Sequence, residues 1–82
     1  MGQKIKLNAL NRSERASLIE AAEFTEEQKT IFDCMFADMY DVAIMQRMNI
    51  SSSTYYRVKA ITVDKIVRTA REIGLDGVIK AR

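Results

Sequence analysis

Histidine, proline and tryptophan are missing from these 82 residues, cysteine occurs once and glycine three times. Without histidine the chain has neither the commonest general base nor the commonest metal ligand. Cys34 is the sole cysteine, so an internal disulfide is excluded and a thiolate metal site has too few ligands. Triad and metal chemistry are therefore ruled out, and the chain reads as a non-enzyme that needs no cofactor. Asp33, Asp38 and Asp41 lie close together, but a solvated acidic surface accounts for them better than a carboxylate site. With glycine confined to Gly2, Gly74 and Gly77, only capping signals interrupt the stretch from Gln3 to Ile73. That favours helices joined by tight turns. No apolar run approaches the roughly 18 to 20 residues that span a bilayer. The start, Met1 to Lys6, also lacks the apolar stretch of a secretion signal, so a cytoplasmic protein without membrane contact is expected.

What is present suits one small soluble domain over residues 1–82. Apolar residues make up 48% and charged residues 29%, the balance of a chain with a real core. The net charge of +2 hides an asymmetry. Residues 1–13 carry a net +3, 14–41 a net −6 and 57–82 a net +4. One part of the molecule is thus suited to approach a polyanion.

Capping patterns and apolar spacing place the helices. Asn11 with Glu14 is a capping-box pair, and Leu18, Ile19 and Ala22 follow it, which predicts a first helix of about 12–23. Thr25 with Gln28 repeats the signal ahead of Ile31, Phe32, Met35, Phe36 and Met39, which predicts a second helix of about 26–37. A short third helix is expected over Asp41 to Met48, ended by Asn49 in the left-handed conformation. Ser51 to Thr54 supply N-caps for a long fourth helix that runs through Val58, Ile61, Ile66, Val67, Ala70 and Ile73 to Gly74. Its apolar stripe drifts between Ile61 and Val63, so a break near Thr62 is one expectation and a continuous helix the other. The predicted class is all-α, a bundle of about four helices with a long last helix. A flexible N-terminus over 1–10 and a C-terminal tail over 75–82 complete the reading.

The stretch from about 41 to 60 has what a helix-turn-helix requires: apolar inner faces, a turn residue that tolerates positive φ, and a polar outer face at the start of the second helix. Ile44, Met45, Met48, Ile50, Tyr55 and Val58 are expected inside. Ser51, Ser52, Ser53, Tyr56, Arg57 and Lys59 are the candidate DNA-binding residues. Short hydroxyls permit close approach to a groove, Arg57 can fork onto guanine or grip phosphate, and Tyr56 can reach phosphate or a thymine methyl.

At these residues the chain resembles the helix-turn-helix of sigma-factor region 4, through Ile44-Met45, Met48-Asn49-Ile50-Ser51, Thr54-Tyr55 and Arg57. It more closely resembles phage transcriptional regulators of the ArpU and RinA kind. Ser51 to Lys59, with its Tyr-Tyr-Arg-x-Lys run, and Arg71 to Leu75 carry that likeness, which extends over about 24 to 75. Met45 stands where such motifs usually have alanine, and Asn49 where they have glycine. The resemblance implies DNA reading by Ser52, Ser53, Tyr56 and Arg57.

The expected function is a sequence-specific, double-stranded-DNA-binding transcriptional regulator from a phage or mobile element. Alternatives are a module that docks on RNA polymerase or another protein through its acidic helices, and the DNA-recognition part of a phage packaging subunit. A homodimer is expected, paired through Ile66, Val67, Ala70 and Ile73 with Leu75, Val78 and Ile79, or, if these fold back to complete the core of one chain, through helices one and two.

Overall fold

A left-handed residue and a side-chain cap sit at most of the joints between helices, and these set the course of the chain. The computed structural model describes residues 7–75. A 3-10 turn at Leu7–Ala9 leads into α1 (Arg12–Ala22), α2 (Glu26–Phe36), α3 (Asp41–Met48) and α4 (Ser52–Glu72), with no strand among the described residues. Both capping boxes form. The Asn11 side chain accepts from the Glu14 N–H at 2.8 Å while Glu14 accepts from the Asn11 N–H at 2.9 Å. Thr25 and Gln28 make the same exchange at 3.2 and 3.0 Å. Each pair satisfies two backbone donors that a helix start leaves open. Glu23 (φ 53°) ends α1, Asp38 (φ 62°) turns the chain after α2, and Asn49 (φ 56°) ends α3.

Two apolar clusters form the core. The first holds Leu7, Leu10, Leu18, Phe32, Ile66 and Ala70, and the second holds Ile31, Cys34, Ile44 and Tyr55. Adjacent residues of α2, Ile31 and Phe32, belong to different clusters, and Met35 packs against both. Helix α2 is thus a wall between them. Helix α4 borders both as well, through Tyr55 near its start and Ile66 and Ala70 further on.

Residues 7–10 are not a flexible leader: the Leu10 N–H bonds to the Leu7 carbonyl at 3.0 Å, and both leucines are buried in the first cluster at 1% and 4% exposure. The reason is hydrophobic, since a single 3-10 turn presents both side chains to one side. Residues 1–6 lie outside the described part. Nor does α4 break near Thr62. Thr62 is fully buried and its hydroxyl donates to the Val58 carbonyl at 2.8 Å, so the inner stripe passes through a satisfied polar residue. Ile61, where the apolar stripe begins to drift, is 53% exposed.

Most of the described residues reserved for pairing are used within the chain. Ile66 and Ala70 fill the core of the single chain, and Leu75 packs on the same cluster with its N–H bonded to the Ala70 carbonyl at 2.7 Å. Only Val67, half-buried, and Ile73, exposed, remain of that set. Val78 and Ile79, with the turn expected at Asp76-Gly77, lie outside the described residues.

Candidate nucleic-acid interface

The joint between α3 and α4 is built from the residues the spacing pointed to. Asn49 takes φ 56° and ψ 49°, and its N–H closes α3 on the Met45 carbonyl at 2.8 Å. Ile44 is fully buried, and Met45, Met48, Ile50 and Val58 pack around it and Tyr55 in the second cluster. The flexible thioether of Met45 thus finds room where a smaller side chain is usual in such motifs. Helix α3, the turn from Asn49 to Ser51 and helix α4 form a helix-turn-helix.

The outward face follows from the same register. Ser51, Ser52, Ser53, Tyr56 and Arg57 are all exposed. Ser51 is committed to capping: its Oγ accepts from the Thr54 N–H at 3.4 Å and donates to the Thr54 hydroxyl at 3.0 Å. Ser52, Ser53, Tyr56 and Arg57 are left as one solvent-facing group on the first turns of α4. Tyr56 is 49% exposed and meets the buried Tyr55 ring edge-on, with centroids 5.0 Å apart.

Helix-end electrostatics distinguish this turn. Acids occupy the first turns of α1 (Glu14), α2 (Glu26 and Glu27) and α3 (Asp41), while the first turn of α4 has none. A carboxylate in the first turn offsets the partial positive charge of a helix start, so α4 is the helix whose positive end stays open to an outside anion. Arg57 adds a full charge beside it and makes no ion pair among the described residues. Arg47, in the last turn of α3, is likewise exposed and unpaired there. Sequence spacing did not single it out, although a base flanking such a turn is a readable signal.

Lys59 sits differently from the other candidates. Its ammonium is 2.8 Å from the Asp41 carboxylate, which also accepts from the Tyr55 hydroxyl at 2.6 Å. Partial burial pushes the Asp41 carboxyl up, but the hydrogen bonds from Lys59 and Tyr55 and the Lys59 charge outweigh it, leaving the pKa below the ordinary 3.8. Burial first, then the bond to Asp41 and its negative charge, drive the Tyr55 phenol well above its ordinary range. Of the three neighbouring acids, Asp33 is held by Arg15 at 2.6 Å and Lys29 at 3.1 Å, and Asp41 by Lys59.

The described fold and site define an all-α helix-turn-helix domain, and no helix among the described residues is long and apolar enough to cross a membrane. No protein-family model matches the chain, and no significant match was found among curated proteins or solved structures.

Proposed function

We propose that this chain is a sequence-specific, double-stranded-DNA-binding transcriptional regulator, with Ser52, Ser53, Tyr56 and Arg57 as its reading residues. The observation that carries the proposal is the exposed, acid-free first turn of α4, held on α3 by the left-handed Asn49 and presenting those four side chains together. Short hydroxyls on an open helix start suit phosphate and base edges, and Arg57 suits guanine or phosphate. An origin in a phage or mobile element rests on the likeness of Ser51 to Lys59 to regulators of the ArpU and RinA kind. One such helix touches few base pairs, so the proposal includes binding as a homodimer to a two-fold site with half-sites about 10 base pairs apart or a multiple of that.

The exposed carboxylates Glu20, Glu23, Glu26 and Glu27 support a second contact, with RNA polymerase or another protein. The α1–α2 turn meets α4 at Lys65, roughly 20 Å along the helix from Ser52 at 1.5 Å per residue. Both faces can therefore be engaged at once.

The test is selection of binding sites from random duplex DNA, followed by affinity measurements across a salt series. An enriched palindromic motif, bound more weakly as salt rises, is the expected result. No enriched sequence and no salt-dependent binding would refute the proposal and leave the acidic face as the working surface.

A further inference from the structure

Asp41 opens α3 at the corner where that helix meets α4, and two side chains of α4 converge on one of its oxygens. Tyr55 donates its hydroxyl to Oδ1 at 2.6 Å, and Lys59 donates from Nζ to the same atom at 2.8 Å. Lys59 is thereby set apart from Arg12, Arg47, Arg57 and Arg71, which are exposed and make no ion pair among the described residues. When a helix-turn-helix docks, its second helix enters the major groove and its first crosses the phosphate backbone. The start of α3 then faces phosphate. An unmatched carboxylate there repels the duplex, and an unmatched ammonium adds grip that is blind to sequence.

We propose that Asp41 and Lys59 form a charge-cancelled clasp that positions the reading turn, keeping Lys59 off the phosphates while Asp41 acts through Tyr55 on the exposed ring of Tyr56. This inference rests on the DNA-binding reading above. Tyr55 is fully buried, and its ring meets that of Tyr56 at 70° with centroids 5.0 Å apart. Anchoring the Tyr55 hydroxyl on Asp41 fixes the wall against which Tyr56 stands. Asp41, Tyr55 and Lys59 are therefore positioning residues, and base discrimination depends on them although none of the three reads a base.

The experiment measures duplex binding by the full chain across a salt series, on the selected site and on random duplex. It compares wild type with Asp41→Asn, Tyr55→Phe and the double variant Asp41→Asn/Lys59→Met. Freed by Asp41→Asn, Lys59 should steepen the slope of log affinity against log salt by about one. Random duplex should bind more tightly and the specificity ratio should fall. The double variant has the net charge of wild type and should restore the wild-type slope. Tyr55→Phe should keep the slope and lower only the specificity ratio. A double variant with a slope shallower by about one would place Lys59 on phosphate and overturn the proposal, as would an Asp41→Asn slope equal to that of wild type. Helical circular dichroism, with binding measured well below each melting transition, separates these effects from loss of fold. Wild-type protein without salt-dependent binding would overturn the DNA reading itself, an outcome distinct from either slope result.

Discussion

The Lys65 ammonium lies 2.9 Å from the side-chain carbonyl oxygen of Gln28, tying the middle of α4 to the start of α2. The same Gln28 oxygen accepts from the Thr25 N–H at 3.0 Å, and Lys65 also donates to the Glu23 carbonyl at 3.2 Å. One cation thus satisfies the C-terminal end of α1, where carbonyls lack helical partners, and braces the capping box of α2. Its ammonium also lies 5.9 Å from the centre of the Phe24 ring.

Lys65→Met should therefore destabilise the fold without touching the reading turn. A charged hydrogen bond of this kind, partly screened by solvent, is worth about 1 kcal/mol. In a domain this small that lowers the melting temperature by roughly 4–8 °C. Affinity for the selected DNA site, measured well below the transition, should stay at the wild-type value; a fall in affinity with no change in melting would refute the assignment.

Arg57→Ala should do the opposite. Arg57 is exposed and unpaired among the described residues, so unfolding free energy should stay within about 0.5 kcal/mol of wild type. Duplex binding should weaken by about 1–3 kcal/mol, the worth of a forked contact to a base or phosphate. Equal affinities at matched salt would place the reading surface elsewhere on the chain.

Ile44 is fully buried between α3 and the start of α4, and Ile44→Ala should cost about 2–5 kcal/mol. For a domain of this size that is a large share of the total stability. Urea melts followed by circular dichroism should show an earlier midpoint, with DNA binding lost in the same range. Binding that outlasts the helical signal would mean the α3–α4 joint is not what holds the reading turn.

Alkaline pH gives a fourth prediction. The folded Tyr55 phenol ionises at higher pH than its ordinary 10.0, because burial and the neighbouring Asp41 disfavour a phenolate. A pKa raised in the folded state contributes stability that is complete below the unfolded value and is lost as pH rises through the folded one. Wild type should therefore lose stability relative to Tyr55→Phe above about pH 10, and the gap between them should be flat from pH 6 to pH 9. A flat difference up to pH 11 in chemical denaturation would count against the Asp41 bond.

The local parts of the fold were legible because their causes are local. Asn11 with Glu14 and Thr25 with Gln28 announce helix starts three residues apart, and Asn49 announces a left-handed turn. The outward set from Ser51 to Arg57 follows from the helical period once that start is known. What escaped has distant causes. Nothing near Lys59 reveals that Asp41, eighteen residues earlier, holds its charge. Thr62 reads as polar and hence outward until its hydroxyl is seen to be satisfied by its own helix. Leu7 and Leu10 look like part of an unstructured leader because a single 3-10 turn is too short to leave a periodic signature. The αL residue Glu23 was also silent, since glutamate does not mark such a turn, whereas Asp38 is of a type enriched at positive φ and was a readable signal.

Helix α4 is an uninterrupted rod of 21 residues that borders both apolar clusters. Opening either cluster removes packing from the same rod, so the reading end has no separate unit to melt into. The amides around Thr62 and Ile66, at the middle of the rod, are consequently those whose exchange with solvent deuterium tracks complete unfolding. The open first turn at Ser52 to Thr54 should exchange fastest within α4, and under the proposed reading duplex DNA should slow it.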